Sequence, residues 1–418
     1  MPYSDTIRLS FPRGLVRGGR VVISGSKSQS NRFLLLQAVS DAGFSIENLS
    51  DSDDTRAMLR VLQDGGDVID VGHAGTAMRF GTAFLATRAG RDVLLTGSER
   101  MKQRPIAPLV EALRQLGARI DYSGAEGFPP LRIRGRALAG GCCEMDGSVS
   151  SQFITALMLI SPLLAGGMHL HLTGKSVSRP YIEMTAAAMR AVGWEVRVAG
   201  QEITVPAGQK VRPASVTVES DWSSASYYFS LSAIARQPVA LRSFVPDSTQ
   251  GDSRLTEIYR SFGVRSAFEG DVLSLAPEDG FCPPEAVSFD LEDTPDVAQT
   301  VAVTMAAMGI RGTLTGLKTL RVKETDRIAA MQAELAKFGV ERRATEDSLT
   351  IVSFGLRPSD ITLETYHDHR MAMAFAPLAL SGAFRVADAG VVAKSYPAFW
   401  DDMEKLGARI EPAGAKRF

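Results

Sequence analysis

The chain is poor in the residues that build covalent or metal-dependent sites, with three cysteines and five histidines in 418 residues. Cys142, Cys143 and Cys282 form neither a spaced disulfide framework nor a metal-ligand set. Adjacent Cys142 and Cys143 follow a Gly-Gly turn and read as buried strand residues of a reduced, cytoplasmic protein. His169/His171 and His367/His369 stand two apart, which is no metal signature; the first pair points to one face of a strand and reads as structural. Charge of one sign is missing too. The net charge is −1, and the basic residues have no interleaved aromatics, so nucleic acid and anionic membranes are poor partners. The longest apolar run, Phe153 to Met168, is broken by Ser161, Pro162 and two glycines and falls short of the roughly 20 residues of a membrane span. Met1 to Ser10 carries no signal-peptide core. No phosphate-binding Gly-x-x-x-x-Gly-Lys loop, dinucleotide Gly-x-Gly-x-x-Gly turn or Gly-x-Ser-x-Gly elbow occurs.

What is present is a full globular composition, 45% hydrophobic and 22% charged, at a length that suggests two domains of about 200 residues. A repeat runs through it. One helix family ends at Gly66, Gly117, Gly193, Gly263, Gly339 and Gly407, spaced 51, 76, 70, 76 and 68 residues apart; glycine there is the expected left-handed stop. A second family, rich in Ala, Leu and Met, opens near Ser28, Gly75, Ser150, Ser223, Asp296 and Asp368. Helices apolar on most sides belong inside, and the amphipathic first family belongs outside. Short β-rich segments lie between, and three of them end in Leu-Thr-Gly. The fold class is therefore α/β, with six units of strands and two helices, three per domain. The first unit is short by roughly two dozen residues.

The starts of the interior helices carry the charges that point to function. Lys27, Ser28 and Arg32 surround one such start. Gly75 opens another, where a missing side chain lets a ligand reach the backbone. Ser150, Ser151 and Gln152 precede a third, and Arg370 lies at a fourth. A cation at a helix N-terminus opposes the dipole unless an anion binds there. Charged loops before exterior helices add Arg104, Ser178, Lys323, Arg327 and Lys394. Many cations with few acids suit a substrate bearing several anionic groups. Asp296 and Glu324 are the acids placed for proton transfer.

Taken together, GSKSQSNR, AGTAMR, RMKQRP, DGSVSSQF, SRPYIE, ESDWSSASY, RVKETDR, DHRMAM and AKSYP resemble, in order and over essentially the whole chain, the 3-phosphoshikimate 1-carboxyvinyltransferase family. The resemblance implies two similar domains, 25–219 and 1–24 with 220–418. Each would hold three βαβαββ-type repeats around a pseudo-threefold axis, with the active site in the cleft between the domains. It implies a monomer that takes phosphoenolpyruvate and shikimate 3-phosphate, needs neither cofactor nor metal, and works through a tetrahedral intermediate. By motif, Lys27, Ser28, Arg32, Ser150, Ser151, Gln152, Ser178, Asp296 and Lys323 would bind shikimate 3-phosphate. Lys27, Gly75, Arg104, Arg327, Arg370 and Lys394 would bind phosphoenolpyruvate. Asp296, Glu324 and Lys27 would be catalytic, Asp296 as acceptor of the hydroxyl proton.

The chain departs from the family pattern at His73, Thr319 and His367, each commonly Asn. These departures bear on affinity for phosphoenolpyruvate and on pH dependence. Two alternatives remain at this point: a UDP-N-acetylglucosamine 1-carboxyvinyltransferase, whose reactive loop cysteine is missing from SERMKQRP, and a non-enzymatic repeat scaffold.

Overall fold

The computed structural model describes residues 5–40, 43–148, 150–174, 177–210, 215–353, 355–356 and 360–413; Val149, inside one of the motifs above, lies outside them. The chain divides into two compact units, 25–218 and a second made of the amino-terminal segment up to Ser24 with Glu219 onward. Each has its own apolar core.

In the 25–218 unit the helices are α1 (Lys27–Val39), α2 (Asp53–Gln63), α3 (Gly75–Ala86), α4 (Ala107–Gln115), α5 (Ser151–Ile160) and α6 (Arg179–Ala191). The other unit holds α7 (Trp222–Ala235), α8 (Leu255–Ile258, extended by 3-10 turns on both sides), α9 (Ala298–Met308), α10 (Arg327–Lys337), α11 (His369–Phe375) and α12 (Phe399–Lys405). The two helix families alternate as the sequence predicts. Every residue of α3 except Thr76, every residue of α5 except Gln152, and all of α11 are buried. In α2 the buried positions are Asp54, Thr55, Ala57, Met58 and Val61, one stripe of an amphipathic helix.

Five of the described sheets share one spatial arrangement. A first strand lies parallel to a second, which pairs antiparallel with a fourth, and the fourth pairs antiparallel with the third. In the sheet that holds Ile7–Ser10, this early strand takes the place of the fourth. Val68–Asp70, Asp92–Thr96, Leu131–Arg134 and Arg119–Tyr122 form one such sheet in that spatial order. Ala286–Asp290, Arg311–Thr315, Leu349–Ser353 and Glu341–Ala344 form another. The three Leu-Thr-Gly strings close the equivalent second strands, at Thr96, Thr173 and Thr315. Among the described residues the remaining sheet has two strands, Ser45–Glu47 and Ser215–Thr217, in parallel. Its exterior helix α2 runs almost directly into the strand Val68–Asp70 of the next unit, so the short first repeat is a repeat without its hairpin.

This corrects one expected helix stop. Gly117, Gly193, Gly263, Gly339 and Gly407 have positive φ. Four of these turns carry the same six-residue closing bond, such as Ala118 N–H to the Leu113 carbonyl at 2.9 Å. Gly66 does not share this conformation; α2 ends on Asp64, whose Oδ1 accepts from Gly66 N at 2.7 Å. With no hairpin to enter, the chain needs no reversal there. A second correction concerns Cys142, which is exposed while Cys143 is buried, because successive strand residues face opposite sides.

Strands near both ends of the described residues are woven in by sheet pairing. Ile7–Ser10 pairs with Phe384–Val386 and with Arg409–Pro412. Gly19–Val22 pairs parallel with Val239–Arg242. Where the chain leaves this segment, a Cβ on Gly25 would sit 1.8 Å from the Asn48 carbonyl oxygen. Gly25→Ala should therefore cost about 1–3 kcal/mol, as other overpacking changes do, and lower the Tm by several degrees; an unchanged thermal unfolding curve would count against this close approach.

Candidate functional site

In the 25–218 unit the predicted residues collect at the amino ends of α1, α3, α5 and α6. Arg32 joins these helices. It is 3% exposed; its Nε donates to Thr185 Oγ1 at 2.8 Å and its Nη1 to the Ser28 carbonyl at 2.7 Å. Its Nη2 donates to Thr155 Oγ1 and the Tyr181 carbonyl, both at 3.3 Å. The guanidinium also lies 5.8 Å from the Phe80 and Tyr181 ring centres. Among the described residues no carboxylate pairs with it, and burial pulls it down to about 10. A buried cation held only by neutral oxygens is a receptive place for an anion.

Lys27 opens α1 and pairs with Asp54 Oδ2 at 3.0 Å. Sequence reasoning missed Asp54, because an acid in the first turn of α2 is fully explained by the helix dipole. Gly75 opens α3 with no capping side chain. A Cβ there would meet the Arg104 Nη1 at 2.8 Å, so glycine is what lets this guanidinium, 7% exposed, cover the helix end. Free amide donors and an Arg at one spot oppose each other unless an anion lies between them. Ser150 caps α5, accepting from Gln152 N at 3.3 Å; Ser151 follows it, 8% exposed. Ser178 precedes α6 in a left-handed conformation (φ 53°) and is buried.

In the second unit Arg327 is the centre of a charge cluster. Its side chain is 2% exposed and donates to three carboxylates: Asp368 Oδ2 at 2.7 Å, Asp296 Oδ1 at 2.9 Å and Glu324 Oε2 at 2.9 Å. Arg370 Nη2 reaches Asp296 Oδ2 at 3.0 Å, Lys394 Nζ reaches Glu324 Oε1 at 2.9 Å, and Lys323 Nζ lies 3.8 Å from Asp296. All six predicted residues of this unit are thus brought together: Asp296, Lys323, Glu324 and Lys394 on the turns and 3-10 segments before α9, α10 and α12, and Arg327 and Arg370 in the first turns of α10 and α11. Burial alone would raise the Asp296 carboxyl, but Arg370, Lys323 and Arg327 overcome it and hold it well below the usual range. Asp368 was legible as a helix cap, and it caps α11 by accepting from Arg370 N at 2.9 Å; its second role as counter-ion of Arg327 was not. His169 and His171 share one exposed strand face, bridged by Glu202 at 2.6 and 2.5 Å.

Of the three departures from the family pattern, His73 and His367 have side-chain partners and Thr319 has none among the described residues. His73 Nδ1 lies 3.1 Å from Ser98 Oγ. His367 is left-handed (φ 55°) and pairs with Asp388 at 2.9 Å. Thr319 Oγ1 is buried with no hydrogen-bond partner among the described residues.

The EPSP synthase (3-phosphoshikimate 1-carboxyvinyltransferase) family model matches residues 16–67 and 62–403. The chain is 43% identical over 397 residues to the 3-phosphoshikimate 1-carboxyvinyltransferase of Bacteroides fragilis, covering 94% of this chain and 96% of that one. It is 40% identical over 430 residues to that of Nitrosomonas europaea, covering 96% and 98%. A solved EPSP synthase from Acinetobacter baumannii superposes with a TM-score of 0.76 at 23% identity, covering 97% of this chain and all of that one.

Replacing Asp368 by Ala strips the fully buried Arg327 of its closest counter-ion and α11 of its cap. The expected loss is about 3–5 kcal/mol, measured by denaturant unfolding; a loss under 1 kcal/mol would show that the cluster does not depend on this acid.

Proposed function

The chain belongs to the EPSP synthase family, and from that premise we propose how its residues divide the reaction. The enzyme transfers the 1-carboxyvinyl group of phosphoenolpyruvate to the 5-hydroxyl of shikimate 3-phosphate and releases inorganic phosphate, a step of aromatic amino acid biosynthesis. Neither the nucleotide-sugar alternative nor a scaffold is favoured by the relatives it matches.

In this reading Ser28, Arg32, Ser150, Ser151, Gln152 and Ser178 hold shikimate 3-phosphate, together with Lys323 and Asp296. Gly75, Arg104, Arg327, Arg370 and Lys394 hold phosphoenolpyruvate, and Lys27 touches both. The uncompensated Arg32 suits the phosphate-bearing acceptor, though four of its hydrogen bonds already go to the protein; it acts mainly as buried charge. The Arg104 guanidinium over the α3 amino end suits the dianionic donor.

The observation that carries the mechanism is the grip of three cations on Asp296. Gripped in this way, Asp296 is a weak base. When phosphoenolpyruvate brings its own negative charge to Arg327 and Arg370, their hold on Asp296 relaxes and its proton affinity rises. It then takes the proton of the 5-hydroxyl as that oxygen bonds to C2 of phosphoenolpyruvate. Glu324, shared by Lys394 and Arg327, supplies a proton to the methylene carbon, which becomes methyl in the tetrahedral intermediate. Glu324, now ionised, takes a proton back from that methyl group, and the double bond re-forms as the C–O bond breaks and phosphate leaves with its electron pair. Lys27 stabilises the departing charge, or donates in place of Glu324. Positioned charges of this kind act by orientation and by stabilising developing charge.

Phosphate release from phosphoenolpyruvate, followed with shikimate 3-phosphate and separately with UDP-N-acetylglucosamine, tests both acceptor and base. Release should occur only with shikimate 3-phosphate, and Asp296→Asn should lower kcat by about 10²–10⁴; a variant within a few-fold of the unaltered enzyme sinks the base assignment. We further propose that the two units are the two domains, that the protein works in the cytoplasm without nucleic acid or membrane partners, and that it is monomeric. Sedimentation should show one species near 44.9 kDa; a stable dimer would refute the last point.

A further inference from the structure

We infer that Asp252 is a positioning residue for this reaction, its buried carboxyl setting how strongly Asp296 holds a proton. The inference rests on Asp296 as the proton acceptor. Asp252 is 4% exposed and follows a turn that is already well secured without it. Gln250 Nε2 donates to the Ser220 carbonyl at 2.9 Å and Gln250 Oε1 accepts from Trp222 N at 3.1 Å, while Ser248 donates to Glu219. Within the fold, then, Asp252 has little structural work. Its Oδ2 accepts from Ser223 Oγ at the start of α7; among the described residues its Oδ1 has no hydrogen-bond partner, and neither has the buried Nε of Arg370. A half-satisfied buried carboxyl is a cost that stability alone does not explain.

The charges around it supply a reason. Burial pushes Asp252 up to about 7, and the negative charge of Asp296 adds to this; the Ser223 bond and Arg370 pull it down, and Asp221 pushes it up again. Asp296 faces Arg370, Lys323, Arg327 and Glu324 on its other sides. Hydrogen bonds tie Asp252 to the helix start that carries Asp296: Ser223 donates to Asp252, Ser226 Oγ donates to the Ser223 carbonyl at 2.6 Å, and Ser226 Oγ lies 3.0 Å from Thr300 Oγ1, one turn beyond Asp296. Near neutral pH the Asp252 carboxyl therefore gains or loses its charge close to the Asp296 that Arg370 grips. Neutral, it leaves Arg370 wholly to Asp296, which stays a weak base. Ionised, it repels the Asp296 charge and shares Arg370, so the affinity of Asp296 for a proton rises. Proton acceptance should thus improve as pH rises through neutrality.

The test is the ratio of kcat/KM between the unaltered enzyme and Asp252→Asn, taken from about pH 5.5 to 8.5. The substrate phosphates ionise near pH 6, but they do so for both enzymes and divide out. The ratio should lie near one at the acid end and climb to about 3–10-fold at the alkaline end, a coupling of about half to one pH unit, with its midpoint at about 7. Ser223→Ala keeps the carboxyl and removes a bond that favours its ionised form, so it should move the corresponding limb to higher pH. A ratio that is flat with pH, whether at one or at a uniform loss, overturns the inference. If Asp252→Asn fails to fold, an unmoved limb in Ser223→Ala overturns it instead. Should Asp296→Asn remain active, the proton-acceptor reading itself falls; a flat ratio beside an inactive Asp296→Asn removes only the role of Asp252.

Discussion

One buried guanidinium organises the carboxy-terminal half of the chemistry. Arg327 sits at the first position of α10, where a cation opposes the helix dipole, and it is almost fully withdrawn from water. Neither condition is tolerable alone. Three carboxylates from three different segments make both tolerable, and in doing so they fix where the entries to α9, α10 and α11 lie relative to one another. The arrangement works in reverse as well, since Asp296, Glu324 and Asp368 could not share so small a volume as anions without the cation among them. Such a cluster contributes little net stability compared with an apolar core of the same size. What it fixes is geometry, and it keeps two carboxylates partly open to ligand while the third, Asp368, is sealed.

Arg32 holds a comparable place in the other unit with the opposite electrical outcome. It too is buried where several interior helices begin, but its partners are threonine hydroxyls and backbone carbonyls. One unit therefore carries a cation already neutralised by acids and the other a cation still lacking one. An enzyme of this family handles two anionic substrates, and under the proposed division of roles that difference would separate supplying reactive acids from receiving negative charge.

Much of this was legible in the residues. The alternation of apolar and amphipathic helices, the repeated Leu-Thr-Gly strands and the glycine stops give the layered units, because each reflects a local rule of burial or backbone conformation. The helix-start cations were legible for the same reason: they break the dipole rule, and a broken local rule is visible in one dimension. What could not be read were the counter-ions. Asp54 and Asp368 obey the dipole rule as caps or first-turn acids, so nothing in the sequence marks their second partners, Lys27 and Arg327. Asp252 sits in a Gly-Asp-Ser turn that looks like any surface loop, and only folding shows that it is buried. The Gly66 stop failed because a glycine after an apolar helix predicts a reversal only when a hairpin follows.

The way the sheets borrow strands fixes an order of assembly. The two-stranded sheet needs Ser215–Thr217 to meet Ser45–Glu47, so the 25–218 unit can close once that stretch has left the ribosome. The strand Ile7–Ser10 is made long before its partners, Phe384–Val386 and Arg409–Pro412. At about 5–20 residues per second it stays unpaired for tens of seconds, until those partner strands have been made. A segment synthesised early is thus built in late, and the growing chain must keep both open sides of that strand out of trouble until its partners arrive.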